Sequence, residues 1–118
     1  MKKIILLLLF IVSISQAKIN IYSSNEASVH LGEVAMVKGT LYGVYKSSNG
    51  NIFLNIDGDY PNQKFTGVIF GEDTNQFDIS KLRNKIGKNI IIKGFIKSYK
   101  GKPEITIKNP NQIVNYEG

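Results

Sequence analysis

Tyr99, Lys100 and Lys102 fall within four positions of one another in YKGKPEITI, residues 99–107. An aromatic ring offers a face for stacking, and an ammonium group attracts phosphate as a point charge. The same three residues suit the solvated tip of a hairpin. Gly101 accepts a left-handed turn conformation, and Pro103 stiffens the start of a strand without needing a ladder N–H. Other reactive groups are sparse. The chain has no cysteine and one histidine, so His30 lacks the thiol or second imidazole that a zinc site requires. Near the end of a short helix, its reading is to cap or pack. Asp57 and Asp59 flank Gly58 like the start of a calcium loop, but the later ligands of an EF-type loop are missing, which leaves a polar turn. Glu72 and Asp73 read as loop charge near a helix start. A nuclease would need carboxylates for a metal and arginines for the phosphoryl transition state. Arg83 is the single arginine. No Ser-His-Asp or Cys-His set can be assembled either. The reading is a protein that binds without catalysing a reaction and holds no metal or cofactor.

The first residues are of a different kind. MKKIILLLLFIVSISQA has two lysines, an apolar run from Ile4 to Val12, and Ser15-Gln16-Ala17. That is the pattern of a signal peptide over residues 1–17, cleaved after Ala17. The run falls short of the roughly 20 apolar residues that span a bilayer. The expectation is an exported protein, periplasmic or secreted, with no stable membrane insertion once the segment is removed. Residues 18–118 then form one domain, which must fold on packing alone because no disulfide is available. Losing Lys2 and Lys3 lowers the formal charge of +6 by two, to +4. That mild basicity permits an anionic partner without demanding one.

The rest of the chain supplies the elements that would hold these groups. Ser23 answered by Glu26 forms a capping box, predicting a two-turn helix over 24–31 that Gly32 ends. Alternation across 33–45 predicts a long first strand, with Gly39 and Gly43 marking a bend that lets it serve both sheets of a closed barrel. A second strand covers 51–57, with Ile52, Leu54 and Ile56 inward and Phe53 and Asn55 outward. The third, 64–70, is too apolar for periodicity to assign its faces. Asp78 caps a short helix carrying Ile79 and Leu82, with Phe77 and Ile86 adding apolar contacts. A fourth strand, 88–100, buries Ile90, Ile92 and Ile96. The fifth, 104–108, buries Ile105 and Ile107, and the tail crosses back over the surface. The fold class is all-β: a five-stranded OB-fold Greek-key barrel with a short N-terminal helix and a short helix between strands three and four.

VKGTLYGVY, GNIFLNID, FTGVIF and GKNIIIKGFIKSYKGKPEITIKNPNQI carry a family likeness that runs from about Asn25 to Val114. The chain resembles the small bacterial OB-fold nucleic-acid-binding domains and, more distantly, the anticodon-binding barrels of aminoacyl-tRNA synthetases. Its most telling part is the G-K-x-I-x-I-x-G-x-I-x-x-Y-x-G-x-P-E-I run of 87–105. In such binders the ligand lies over strands two and three, between the loops that join strands one to two and four to five. The resemblance implies a set of Tyr45, Lys46, Phe53, Asn55, Lys64, Thr66, Tyr99, Lys100 and Lys102. Rings would stack on bases and lysines would follow phosphates, with little sequence preference. The partner expected is single-stranded nucleic acid, bound by a monomer. An oligosaccharide- or protein-binding exported barrel is the alternative. A secreted nuclease of the staphylococcal type is a further one.

Overall fold

The computed structural model describes residues 18–116, so the signal-peptide expectation for residues 1–17 lies outside the described residues. Seven strands and one short α-helix are present among them: β1 (Ile21–Ser23), β2 (Val34–Lys46), β3 (Ile52–Ile56), β4 (Phe65–Ile69), α1 (Ile79–Arg83), β5 (Asn89–Tyr99), β6 (Lys102–Thr106) and β7 (Ile113–Val114). The chain is predominantly β, as its alternating apolar pattern predicts.

The two long strands organise everything else. Residues 34–40 of β2 pair antiparallel with β5, and residues 41–46 pair antiparallel with β3. The switch falls at a register shift between Leu41 and Gly43, where Tyr42 is the extra residue. Such a bulge bends a strand and raises its twist. β5 behaves alike, pairing with β2 through residues 89–95 and with β6 through 96–99. Gly94 sits at that switch because no side chain fits: a Cβ there would lie 2.5 Å from Ile105 Cγ2. With β3 on β4 and β4 parallel to β6, the pairings run β2–β3–β4–β6–β5 and return to β2.

Two strands go beyond the five expected. β1 lies parallel to β2 at residues 36–38, and β7 lies antiparallel to β5 at residues 91–92. They cover edges that the long strands expose where they leave the ring, and an exposed edge invites pairing with other chains.

Burial follows the alternation. Ile52, Leu54, Ile56, Ile90, Ile92, Ile96, Ile105 and Ile107 are all buried, which fixes the inward faces of β3, β5 and β6 as expected. On β4, Phe65 and Ile69 enter the core, which turns Thr66 outward and settles the faces that periodicity left open.

Three local expectations are corrected. The two-turn helix over 24–31 is a single 3₁₀ turn, Ala27–Val29. The sheet competes for its backbone: Ser24 N–H donates to Lys38 O at 3.1 Å and Gly32 N–H to Ile96 O at 2.7 Å. The segment is thus tied to β2 at one end and to β5 at the other, and those ties set its path in place of a regular helix. Ile86 is exposed and adds no core contact, whereas Leu82 is buried and Phe77 and Ile79 pack against the core. Asp78 does cap α1, accepting from Ser80 N–H at 2.9 Å. The tail is integral to the packing. It forms β7 and then buries Tyr116, whose hydroxyl accepts from Asp78 N–H at 2.6 Å and whose ring meets Phe77 edge-on at 5.6 Å.

Candidate nucleic-acid interface

One cleft of about 1070 Å³ opens over β3 and β4, between the end of β2 and the β5–β6 turn. Its walls are aromatic. Tyr45 stands on β2 and is 63% exposed; Tyr99 ends β5 and is 57% exposed; Tyr60 comes from the loop before β4 and is 78% exposed. Phe53, half-buried, lies among them on β3. Tyr45 and Phe53 are cross-strand partners, which places their side chains on the same face of the sheet.

The floor is a polar row crossing the strands. Asn55 faces Thr66 across β3 and β4, and Thr66 faces Glu104 across β4 and β6. All three are buried, although they lie on the outer face of the sheet. Glu104 Oε1 is 3.4 Å from Lys97 Nζ, the next partner along the row. Gln63 reaches in from the loop and donates from Nε2 to Thr66 Oγ1 at 3.3 Å. Its Oε1 is buried and has no hydrogen-bond partner among the described residues.

The β5–β6 turn is held at the cleft's rim. Lys100 and Gly101 both have positive φ, +49° and +80°, the pattern of a two-residue type I′ hairpin. Lys100 Nζ lies 5.4 Å from the centroid of the Tyr99 ring, a cation–π contact. Lys102 points elsewhere. Its ammonium donates to Pro61 O, and to Gln63 O at 3.3 Å. It clasps the turn to the 59–63 loop, so its charge is engaged by carbonyls. The carboxylate of Asp59 joins the lining from that loop.

Of the nine residues the sequence suggests, the cleft gathers Tyr45, Phe53, Asn55, Thr66, Tyr99, Lys100 and Lys102. Lys46 is exposed at the end of β2, next to Tyr45 but outside the lining; Lys64 is exposed and faces a neighbouring shallow depression with Ser24, Asn25 and Lys102. Glu104, Gln63, Tyr60 and Asp59 were missed. Glu104 was legible in principle, because it alternates with Ile105 and must face out when that residue faces in. The loop residues carried no such periodic signal.

His30 is part of a separate cluster. Its ring stacks on Tyr22 with centroids 3.7 Å apart, and Nδ1 is 2.6 Å from Glu33 Oε2. The Tyr22 hydroxyl donates to Glu33 Oε1 at 2.6 Å. That bond, aided by His30, holds the Glu33 carboxyl below its ordinary range, and the same bond raises the Tyr22 phenol. Among the described residues no group of three or more His, Cys, Asp or Glu side chains is arranged to hold a metal ion, and no helix is long and apolar enough to cross a membrane.

No family model and no curated protein matches the chain. Among solved structures, it is similar to a protein assigned as an aspartyl-tRNA synthetase from Leishmania major Friedlin, with a TM-score of 0.51 and 8% identity. The match covers 82% of this chain and 21% of that one. At that identity the likeness is one of fold, and it supports an OB-like β-barrel. The chain spans about a fifth of that protein's length.

Proposed function

We propose that this chain is a five-stranded OB-fold Greek-key barrel, with two added edge strands, that binds single-stranded nucleic acid and catalyses no reaction. We place it outside the cytoplasm, on the strength of the signal-peptide pattern in residues 1–17, and take it to act as a monomer. The observation that carries the binding reading is the convergence of Tyr45, Phe53, Tyr60 and Tyr99 on one cleft over β3 and β4. Rings of this kind stack on unpaired bases. Lys46, Lys64 and Lys100 stand exposed around it, able to follow phosphates. The fold neighbour's name also includes a nucleic acid, which agrees with the reading without establishing it.

An oligosaccharide ligand is a second reading. Buried Asn55, Gln63 and Glu104 beneath aromatic walls are also groups that sugar hydroxyls can use. Fluorescence anisotropy with labelled single-stranded DNA and RNA separates the two. Three phosphate-tracking lysines give a salt slope of about −2 in log affinity against log salt, at roughly −0.7 per contact on single strands. Absence of binding at low salt, with the protein shown folded, refutes the nucleic-acid reading and directs attention to a glycan array. A nuclease assay with and without chelator tests the catalytic alternative.

A further inference from the structure

Hydrogen-bond acceptors concentrate on the part of the cleft floor around Gln63 and Glu104. Gln63 is 8% exposed and lines the cleft. Its amide NH₂ donates one bond to Thr66 Oγ1, and the carbonyl Oε1 is a buried acceptor with no donor among the described residues. A buried acceptor left unmade is unfavourable, and a ligand that supplies a donor recovers that loss. Glu104 is 7% exposed on the same floor, and its ionised carboxylate only accepts. Lys97 meets Oε1 of that carboxylate from the neighbouring strand β5. Asp59 adds a second carboxylate to the lining.

These groups repel phosphate and attract N–H donors. A single strand in this cleft therefore lies with its bases on the floor and its phosphates at the lysine rim. We propose, on the basis of the nucleic-acid reading above, that the cleft selects bases bearing exocyclic amino groups over thymine and uracil. Cytosine offers its N4 amino group, adenine its N6, and guanine N1–H beside N2. A carboxylate accepting from cytosine N4 is a standard base contact. Thymine and uracil present one N–H between two carbonyl oxygens, and those oxygens would face Glu104 and Gln63 acceptor to acceptor. The expectation from stacking alone, of little sequence preference, gives way to a preference set by the floor.

The experiment compares twelve-nucleotide oligo(dC), oligo(dA) and oligo(dT) at neutral pH and fixed salt by anisotropy, on the wild-type protein and two variants. Wild-type protein binds oligo(dC) and oligo(dA) about tenfold or more tightly than oligo(dT), one well-made base contact being the difference. Glu104→Gln introduces a donor, raises affinity for oligo(dT) and shrinks the ratio. Gln63→Met removes the unpaired acceptor at similar size, keeps the fold and also shrinks the ratio. Equal binding of all three oligomers overturns the inference while the nucleic-acid reading stands. Binding of none overturns both. A wild-type preference that neither variant reduces assigns selection to other groups and overturns the role of the floor.

Discussion

Phe53 and Leu54 are adjacent, and their contrast tests the site directly. Leu54 is fully buried in the core, and Phe53 is half-buried, outside the core cluster and on the cleft. A fully buried leucine cut to alanine loses its transfer free energy and leaves a cavity, about 3–5 kcal/mol. A core phenylalanine would cost a similar amount. Phe53 keeps much of its exposure in the folded state, so Phe53→Ala costs about 1 kcal/mol of stability. Its effect belongs to binding. Removing one stacked ring weakens binding by about 1–3 kcal/mol, or roughly 5- to 150-fold in Kd.

The assay pairs urea denaturation with anisotropy on a labelled oligonucleotide. The protein has no tryptophan, so unfolding is followed by far-UV circular dichroism. Phe53→Ala shifts the midpoint slightly and weakens binding strongly. Leu54→Ala shifts the midpoint strongly, and its folded fraction binds normally. A loss of several kcal/mol in Phe53→Ala would mean that the face assignment of β3 is inverted, since a one-residue slip exchanges the two faces. A stable Phe53→Ala protein with unchanged affinity would remove stacking from the mechanism.

Two further outcomes concern the scaffold. The folded Glu33 carboxyl titrates below its ordinary value of 4.5 because Tyr22 and His30 bond to it. A depressed carboxylate contributes stability that is present above the unfolded value and lost as pH falls through the folded one. The urea midpoint therefore declines below about pH 4.5, and Glu33→Gln removes that part of the decline; an identical acid profile in the variant would refute the contact's role. Gly94→Ala forces a methyl against Ile105 Cγ2 at the strand switch, which costs about 1–3 kcal/mol as overpacking. An unchanged denaturation midpoint would show that β5 can shift without loss.

Period-two patterning carried most of what could be read. It placed Ile52, Leu54 and Ile56 inward, did the same for the isoleucines of β5 and β6, and so aimed Phe53 and Tyr99 outward. The bend in β2 was legible because glycine is costly in a strand without a packing reason. What failed was local propensity against tertiary demand. Ser23 and Glu26 do interact, through their side chains at 2.9 Å, yet the helix that their spacing suggests never forms. Ser24 and Gly32 are already bonded to the strands of the sheet. β1 and β7 were invisible for a similar reason. Strands of three and two residues have too few positions to show alternation, and they exist because β2 and β5 present edges to them.

The floor of the cleft marks the deeper limit. Alternation puts Asn55 and Glu104 on the outer face, Thr66 joins them because Phe65 and Ile69 enter the core, and an outer face ordinarily means solvent. Here the bulge at Tyr42 re-aims the end of β2, while the 59–63 loop is tied to the β5–β6 turn through Lys102. Curvature and that clasp together convert an outer face into a recess, burying polar groups without partners enough to satisfy them all. A lysine that sequence would assign to phosphate is instead the tie that makes the recess. Lys102→Met therefore separates the two roles. If Lys102 binds phosphate, the variant weakens every oligonucleotide alike and lowers the salt slope by about 0.7. If Lys102 is the clasp, the variant loosens the loop, admits water to Gln63, and erases base preference while leaving the salt slope intact. The second outcome is the one this geometry requires.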